Sequence, residues 1–396
     1  MKHSIAGVAV VGLLTMPVCV SAQTNGNAGT VQDILSILVT NQGVPTGDLA
    51  KDLEAAEATR NTLTRALLAT IATVPVNTSS SGFTYRFNPT LGTVERASEG
   101  FGPFFVERAL TSGRGQASFG LTFQFTSFKS LDGLDLTDGR FVTIARQFRD
   151  EPEPFEIETL TLNVKTQTAT FYGNIGLSER VDLGVAVPVV RLDVAGTRHN
   201  TYRGRTVPVA RGTARMLGVA DVAVRSKVRL TGHGPGAVAA GVELRLPTGQ
   251  EENLLGAGEI AARFQGVASA ETGRTSVHGN VTVGVGGIGR ELAYGGAVAL
   301  ATTPHVTLVG EVMARRIAGV QRITEFIAPQ PGLAGVNTMR LIPSGEDQTT
   351  MFAVTGFKWN VGGTWLLHGH VLWPLTESGL TTRFTPTVAL DYSFTR

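Results

Sequence analysis

The feature that most constrains the fold is a strict alternation of apolar and polar side chains. The segment FTPTVALDYSFTR, residues 384–396, alternates in this way from Phe384 to Phe394. Successive side chains of a β-strand point to opposite faces, so the segment predicts a strand with one apolar and one polar face. Similar alternation recurs through most of the chain after residue 114. The pattern therefore predicts an all-β fold for this part of the chain.

The predicted strands are long. Their usual length is about 10–16 residues, whereas strands of soluble proteins have about 5–6 residues and tilted membrane strands need about 9–11. We predict about 14 strands, within a range of about 12–16, after residue 114. They lie near residues 115–130, 139–148, 156–165, 167–177, 180–195, 217–231, 236–247, 259–271, 275–286, 291–302, 304–319, 348–361, 363–375 and 382–394. Residues 82–97 are assigned to an extra hairpin outside this count.

Short and long connections alternate along the predicted strands. Outer-membrane barrels have short periplasmic turns and longer external loops, which is the same alternation. Short turns are predicted at residues 178–180, 232–236, 271–274, 303–305 and 361–363, all on the side of the C-terminus. Longer loops are predicted at residues 196–216, 247–258, 320–347 and 376–381. This arrangement places both termini in the periplasm.

The apolar faces are predicted to meet lipid. Alternation also occurs in soluble sandwiches, so by itself it does not show whether the apolar face meets lipid or a protein core. Trp365 and Trp373 share one face, eight residues apart. That separation is about 26 Å along a strand, or roughly 20 Å of height after a tilt of about 40°. This height is near the distance of about 25 Å between the aromatic girdles of membrane barrels. Apart from the N-terminus, the sequence contains no apolar run of transmembrane-helix length. Insertion into a membrane therefore requires a closed, antiparallel transmembrane β-barrel.

The N-terminus predicts export, and the composition excludes some partners. Lys2 and His3 precede an apolar run, residues 5–20, that is too short to span a membrane, so residues 1–22 predict a cleaved signal peptide. The predicted location is the outer membrane of a Gram-negative-type bacterium. Cys19 leaves with the signal, which excludes disulfides and cysteine metal sites. A net charge of +2 gives no reason to expect nucleic acid as a partner.

The region between the signal peptide and the barrel is predicted to be helical. Residues 31–39 and 48–73 carry apolar residues at helical spacing. We assign residues 23–81 to a short N-terminal helical segment and residues 82–396 to the barrel. The helical segment either plugs the lumen as a hatch or lies outside as a partner-binding or trimer-forming helix. We favour the hatch, because the apolar face of the segment needs to be covered.

Four stretches of the chain resemble one family of outer-membrane proteins. They are RVDLGVAVPVV (180–190), GVADVAVRSKVRL (218–230), GVELRLPTGQEENLLGAGE (241–259) and the C-terminal hairpin (357–394). The sequence resembles outer-membrane transporters associated with phenol-degradation pathways, a family similar to the FadL-like barrels that carry long-chain fatty acids and aromatic hydrocarbons. The resemblance implies a barrel of about 14 strands, an N-terminal hatch and passage of small hydrophobic molecules.

Polar residues opposite the apolar faces are predicted to line the lumen and the substrate path. A charge on the lipid face costs about 2–4 kcal/mol at the middle of the membrane, so the lumen is the cheaper place for it. The predicted path residues are Asp221, Arg225, Lys227, Arg229, Glu243, Arg245, His278, Asn280, Glu311, Arg315, Lys358, His368 and His370. The charged residues either select ions and guide a polar head group, or form a cross-strand ladder that fills the lumen. We favour the ladder.

Three motifs contain residues that could carry chemistry. His368 and His370 either hold a metal with help from a neighbouring strand or are polar lumen residues, and we favour the second interpretation. No metal and no cofactor is predicted. GVGGIGRE (284–291) lacks the strand–turn–helix context of a nucleotide site and is predicted to be a turn. EPEPFEIE (151–158) is predicted to be a solvated turn. The sequence assigns no nucleophile partner to a histidine, so we predict that the chain is not an enzyme.

The predicted function is passive uptake of small hydrophobic or aromatic compounds through the outer membrane. The apolar external loop with Phe326, Leu333 and Leu341 is predicted to capture the solute first. Expected partners are outer-membrane lipid, the hydrophobic solutes and, by resemblance to other barrels, the barrel-assembly machinery at the C-terminal strand. Phe394 is followed there by two further residues, unlike the usual terminal aromatic. Two alternatives stay open, a general water-filled porin and a structural barrel without transport.

Overall fold

The structure is a computed structural model, and it describes most of the chain after residue 97. The predicted signal peptide lies outside the described residues, as do residues 48–59 of the second predicted helix. Within the described part, no helix has the length and hydropathy needed to cross a membrane. The described residues are 29–39, 60–61, 63–71, 78, 82–88, 93–96, 98–231, 236–330 and 332–395.

Strands dominate the described residues. Helix α1 spans Val31–Val39, residues 63–71 are also helical, and Glu251–Asn253 form one 3₁₀ turn. The strands are β1 (Tyr85–Asn88), β2 (Thr93–Arg96), β3 (Gln116–Leu131), β4 (Leu134–Asp135), β5 (Phe141–Phe148), β6 (Glu156–Gly176), β7 (Val181–Tyr202), β8 (Arg205–Val219) and β9 (Val222–Thr231). They continue with β10 (Gly236–Leu246), β11 (Ala261–Thr272), β12 (Thr275–Gly286), β13 (Arg290–Ala301), β14 (Val306–Pro329), β15 (Val336–Gly362), β16 (Trp365–Pro374), β17 (Leu380–Thr382) and β18 (Thr385–Thr395).

Among the described residues, twelve antiparallel strands close into a barrel. The ring runs in chain order through β3, β6, β7, β9 to β16 and β18, and β18 pairs back with β3. Each ring strand therefore has a neighbour on both sides. Its backbone N–H and C=O groups are hydrogen-bonded without water, which is the condition for crossing lipid. The other strands of this sheet, β4, β5, β8 and β17, extend the barrel beyond one end, while β1 and β2 form the predicted separate hairpin.

The barrel has two strands fewer than the predicted number of about 14. The predicted strands 156–165 and 167–177 are one continuous strand, β6, and the predicted strand 139–148 is β5, outside the ring. Along β6 the inner face keeps its apolar period through Leu162 and Val164, which are buried.

The polar side chains that divided β6 in the sequence belong to its outer face. Asn163, Lys165 and Gln167 are exposed on the side that faces away from the lumen. A strand that rises above the apolar band meets water on its outer side, and its outward residues become polar there. The change in hydrophobicity therefore marks the edge of the lipid rather than the end of the strand.

Two predicted loops are also strands. Residues 196–216 belong to the hairpin of β7 and β8, which turns at Arg203 and Gly204 with positive φ angles of 46° and 79°. Residues 320–347 belong largely to the paired ends of β14 and β15. Of the short turns predicted for the side of the C-terminus, those at 178–180, 271–274, 303–305 and 361–363 lie within the described residues, and they share one end of the barrel as predicted. A short turn at 287–289, within the predicted GVGGIGRE turn, lies at the opposite end.

The apolar face of the alternating strands points outward. In β18, Val388 and Leu390 are 52% and 42% exposed, while Thr387 and Asp391 are buried. The same outward band of Leu, Val and Phe surrounds the barrel, and a soluble monomer does not expose a continuous apolar belt of this size. The predicted orientation of the faces is confirmed, and the barrel exterior is suited to lipid.

Aromatic pairs lie near both edges of this apolar belt. On β16 and β18, the rings of Trp365 and Tyr392 lie 4.7 Å apart, close to the short-turn end. Trp373 and Phe384 lie 5.8 Å apart near the opposite edge. The separation of eight residues between the two tryptophans is about 26 Å along the strand, or roughly 20 Å of height at a tilt of about 40°, which is close to the apolar band of about 25 Å of a membrane barrel.

The hydrophobic core lies inside the barrel, at the end with the long hairpins. Helix α1 packs against the inner faces of β7 and β8, where two glycines allow a close approach. A Cβ atom at Gly196 would lie 2.5 Å from Leu38 Cδ1, and one at Gly212 would lie 2.8 Å from Ile34 Cγ2. Leu63 and other apolar residues of the helical stretch 63–71 belong to the same core.

We expect a lysine on the outer face of β12 to destabilise the barrel much more than a lysine on its inner face. Val281, near the middle of β12, has a side chain that is 54% exposed on the outside of the barrel. The preceding residue, Asn280, faces the lumen. Val281→Lys should lower the free energy of unfolding by about 2–4 kcal/mol, because the ammonium would lie in hydrocarbon. Asn280→Lys is the matched control and should cost less.

The measurement is denaturant unfolding of both variants in liposomes, followed by tryptophan fluorescence. Equal losses from the two lysines would contradict a lipid-facing outer surface.

Candidate functional site

An extended piece of chain runs inside the barrel at the short-turn end. Residues 98–115, here called the lumen segment, precede β3, so the barrel wall begins at Gln116 rather than at the predicted residue 82. Phe101, Phe104 and Arg108 of this segment are at most 1% exposed. The lumen segment therefore occupies space that would otherwise be the lower half of the channel.

One end of the lumen segment is held by a carboxylate and an ammonium from the wall. Glu311 of β14 accepts hydrogen bonds from three successive backbone N–H groups, those of residues 104–106, at 3.0 Å and 2.9 Å for the second and third. Lys358 of β15 donates to the carbonyl oxygen of Pro103 at 2.8 Å. Both wall side chains are buried, so their hydrogen bonds to the segment offset part of the cost of burying the two charges.

A second wall cation holds the middle of the segment. Lys227 of β9 donates to the carbonyl oxygen of Arg108 at 2.9 Å and lies 3.3 Å from a carboxylate oxygen of Glu107. The Lys227 Nζ atom is also 3.9 Å from a carboxylate oxygen of Asp182 on β7. Asp182 in turn accepts a hydrogen bond from the backbone N–H of Ser112. The segment is thus tied to both sides of the barrel.

The predicted histidines also lie against the lumen segment. The ring of Phe104 packs on His370, with 4.3 Å between centroids, and more loosely on His368 at 5.7 Å. His368 Nε2 lies 3.4 Å from a carboxylate oxygen of Asp391. In the described ranges no cluster of three or more His, Cys, Asp or Glu is placed to hold a metal ion. The geometry places the H-x-H pair against the segment.

His278 takes part in a similar support. Its two ring nitrogens lie 2.8 Å from Ser269 Oγ and 2.9 Å from Ser276 Oγ. Ser269 Oγ also accepts a hydrogen bond from the backbone N–H of Ala109 in the lumen segment, at 2.9 Å. The serine hydroxyl is therefore engaged on both sides, and its position supports the segment.

Above the lumen segment lies a cavity of about 230 Å³. The helical stretch 63–71 contributes Ile71 to its wall, and Arg315 Nη2 donates to the carbonyl oxygen of Ala69 in the same stretch at 3.4 Å. One part of the wall is apolar, with Phe105, Phe128, Met313, Phe352, Leu372 and Leu380. The cavity therefore lies between the lumen segment on one side and the helical residues on the other.

The rest of the cavity wall carries alternating charges from neighbouring strands, here called the arginine–glutamate ladder. Glu243 of β10 binds Arg225 at 2.7 Å, Arg245 at 2.9 Å and Arg263 at 3.0 Å. Arg263 also binds Glu291 of β13 at 2.7 Å. Glu243 therefore pairs with arginines of neighbouring strands, as the favoured prediction of a cross-strand ladder expects.

The link between Arg263 and Glu291 passes over β12, and a glycine makes room for it. A Cβ atom at Gly284 would lie 3.0 Å from Glu291 Cβ and 3.4 Å from Arg263 Cγ. The absence of a side chain at this position allows two strands that are not adjacent to share an ion pair. The ladder thus continues across the wall from β9 to β13.

The predicted path residues divide into three groups by position. Those that line the cavity are Arg225, Lys227, Glu243, Arg245, Asn280 and Arg315. Those that lie at the lower half of the lumen are Arg229, His278, Glu311, Lys358, His368 and His370. Asp221 does neither. It accepts hydrogen bonds from the backbone N–H groups of Gly249 and Ala257 at 3.1 Å and 2.8 Å, so it shapes the connection after β10.

The residues predicted for external capture are separated by the structure. Leu341 is buried in the core with the helices, whereas Phe326 is 42% exposed beneath the guanidinium of Arg340. Leu333 lies in the turn between β14 and β15. Of the three side chains, the ring of Phe326 is exposed and accessible to a solute.

Sequence reasoning missed the lumen segment, Arg263 and Glu291. The segment contains FGPFFVERA, residues 101–109, a run of aromatic and charged residues without a two-residue period. Such a run directly before a first strand is the signal that could have indicated a piece of chain buried on all sides.

Comparisons with known proteins find barrels at low identity. No family model matches the chain, and no curated protein sequence matches it. Among solved structures, the chain is similar to the COG4313 outer membrane channel from Pseudomonas putida F1, with 12% identity and a TM-score of 0.46 over 72% of this chain and 98% of that chain. It is also similar to the translocator domain of autotransporter NalP from Neisseria meningitidis, with 10% identity and a TM-score of 0.36 over 71% and 89% of the two chains.

A further solved structure is similar at still lower identity. OmpT of Vibrio cholerae, an outer-membrane protein, is similar over 72% of this chain and all of that chain, with 6% identity and a TM-score of 0.29. These comparisons do not confirm the prediction that the chain is not an enzyme, and we withdraw it. The resemblance to phenol-pathway transporters and FadL-like barrels has no matching family model and stays a hypothesis.

Removing the Glu311 carboxylate should loosen the lumen segment. Glu311→Ala leaves three buried backbone N–H groups of residues 104–106 without their acceptor. A hydrogen bond to a charged group contributes about 1.5–3 kcal/mol, so amide hydrogen exchange at these residues should accelerate by roughly tenfold or more. Asp221→Ala is the control, because it removes a carboxylate that holds the connection after β10 instead.

Mass-spectrometric hydrogen exchange on both variants tests this prediction. An unchanged exchange rate at residues 104–106 in Glu311→Ala would show that the carboxylate does not hold the segment.

Proposed function

We propose that the chain is an outer-membrane channel for passive uptake of small hydrophobic or aromatic compounds. The observation that supports this proposal is the cavity of about 230 Å³ inside the barrel, which has aromatic and aliphatic side chains along one part of its wall. Ligand sites for apolar molecules are enclosed, largely apolar and supplied with a few polar groups. Diffusion down a gradient is sufficient to drive transport through such a site.

The lumen segment and the helical residues act in this proposal as two barriers on either side of the cavity. A wide water-filled porin needs a continuous polar path, and in the described residues buried side chains cross the lumen both below and above the cavity. A small apolar solute needs only transient rearrangement of side chains to pass between them. In this proposal the hatch consists of the predicted helical segment together with the lumen segment, residues 98–115.

The arginine–glutamate ladder favours the alternative of a porin for small polar solutes. Its charged side chains form one wall of the same cavity. The two functions differ in which solutes cross, so the test below measures both.

Phe326 is proposed as a first contact for the solute at the outer end. Its ring is exposed on β14, and the neighbouring Ile327 is 64% exposed. Because successive side chains of a strand point to opposite faces, each of these two residues offers an apolar contact on its own face of the hairpin to a molecule of low solubility.

Filling the cavity should block uptake. Ala293 of β13 lines the cavity, and the preceding residue, Leu292, is on the lipid face and 48% exposed. Ala293→Trp should reduce uptake of naphthalene by roughly tenfold, because an indole takes up most of the available volume. Leu292→Trp is the matched control and should transport like the unchanged protein.

The measurement is entry of radiolabelled naphthalene into cells that produce each variant, together with sucrose permeation in proteoliposomes. Rapid sucrose permeation would overturn the hydrophobic channel in favour of the general porin. Entry of neither solute would favour the structural barrel.

A further inference from the structure

A basic surface lies on the outside of the barrel, directly above the apolar belt, on the hairpin of β7 and β8. Below it the outward side chains are apolar, with Val185 at 43% and Val219 at 42% exposure. In the antiparallel register Val189 lies opposite Val219, and Arg191 lies opposite Leu217. The outward face therefore changes from aliphatic to charged within one or two pairs of residues.

Three arginines form this surface, here called the arginine face: Arg191, Arg211 and Arg215. Arg215 lies opposite Asp193, and Arg211 lies opposite Thr197, so all point to the same side as Arg191. The side chains of Arg191 and Arg215 are 41% and 70% exposed.

The arginine face has an excess of positive charge. Asp193 lies between two of the arginines, 3.1 Å from Arg191 Nε and 2.6 Å from Arg215 Nε. The Asp193 carboxylate binds the Nε atoms of both arginines, and both arginine side chains remain partly exposed to solvent. Two pre-positioned guanidinium forks that share one carboxylate present donors suited to a second, doubly charged anion.

The height of the arginine face above the apolar belt identifies the anion. From Arg191 to Thr197, the level of Arg211, is about 20 Å along the strand, starting at the edge of the apolar belt. This is the zone in which the head groups of the lipid lie, and arginines near a membrane surface are attracted to anionic lipids by about 1 kcal/mol each.

The other tall hairpin does not share this charge. On β14 and β15, Arg316 is paired with Asp347 at 2.9 Å, and Arg322 lies 3.6 Å from Glu346. Glu325 is exposed on the same hairpin. Positive and negative side chains are balanced there, so this hairpin attracts an anionic head group less than the β7–β8 hairpin does.

We propose that the arginine face binds the phosphate groups of the glycolipid in the outer leaflet of the membrane. The proposal uses the outer-membrane location and the external position of the long hairpins given above. It is independent of any transport activity. Apolar side chains below the face contact the acyl chains, and the guanidinium groups above them bind the phosphates of the sugar head group. One flank of the barrel is thereby anchored to a defined lipid.

Binding of purified lipid A in detergent tests the proposal, with the mature full-length protein and native mass spectrometry or fluorescence titration as readout. Bisphosphorylated lipid A is compared with the same lipid after removal of both phosphates. The triple variant Arg191→Gln, Arg211→Gln, Arg215→Gln should bind bisphosphorylated lipid A at least about tenfold more weakly than the unchanged protein. Dephosphorylated lipid A should bind weakly to both.

Two further variants make the result specific. Arg316→Gln with Arg340→Gln, on the balanced hairpin, should leave lipid A affinity within about twofold, since these arginines lie outside the arginine face. A triple lysine variant of Arg191, Arg211 and Arg215 keeps the charge and loses the planar fork, so its affinity should be intermediate. Heat-modifiable migration in electrophoresis verifies that each variant is folded, and the lysine variant serves as the test if the glutamine variant is not.

Equal lipid A affinity of the unchanged protein and the triple glutamine variant would overturn the proposal. Equal binding of phosphorylated and dephosphorylated lipid A would overturn it as well. Competition by inorganic phosphate at concentrations that match lipid A binding would mean that the face is a site for free phosphate, and the lipid proposal would fail.

Discussion

Lipid offers no hydrogen-bond partners, so the backbone of every membrane-spanning strand must be paired within the protein. The pairing of β18 with β3 meets this requirement by closing the ring. Closure also divides the side chains of each strand into an outer set, which meets hydrocarbon, and an inner set, which meets whatever fills the lumen. Every other feature of the described structure is placed relative to these two faces.

The inner face is charged, and burial makes those charges expensive unless they are paired. The wall meets this need in two ways. Around the cavity, Glu243 and its arginine neighbours pair with one another across strands. Lower in the lumen, Glu311, Lys227 and Lys358 bind backbone groups of the lumen segment. The segment is consequently held by the wall, and any movement of it for transport must find other partners for these charges.

Side-chain alternation located the outer and inner faces well, because a period of two is a direct consequence of strand geometry. It misjudged strand ends wherever a strand leaves the lipid. On β6 the outward residues Lys165 and Gln167 turn polar while the strand continues. The lumen segment escaped notice for a related reason. Residues 101–109 are buried from all sides, so no periodic pattern records which way their side chains point.

The sequence by itself determined the long antiparallel strands, the lipid-facing side of each strand and the inward location of the charged residues, since these depend on local periodicity and on the cost of charge in hydrocarbon. Only the tertiary structure decided that the ring has twelve strands within the described residues, that residues 98–115 lie in the lumen and that Arg263 and Glu291 pair across Gly284. The physical reason is that ring closure and lumen filling depend on contacts between residues far apart in the chain, which no local pattern specifies.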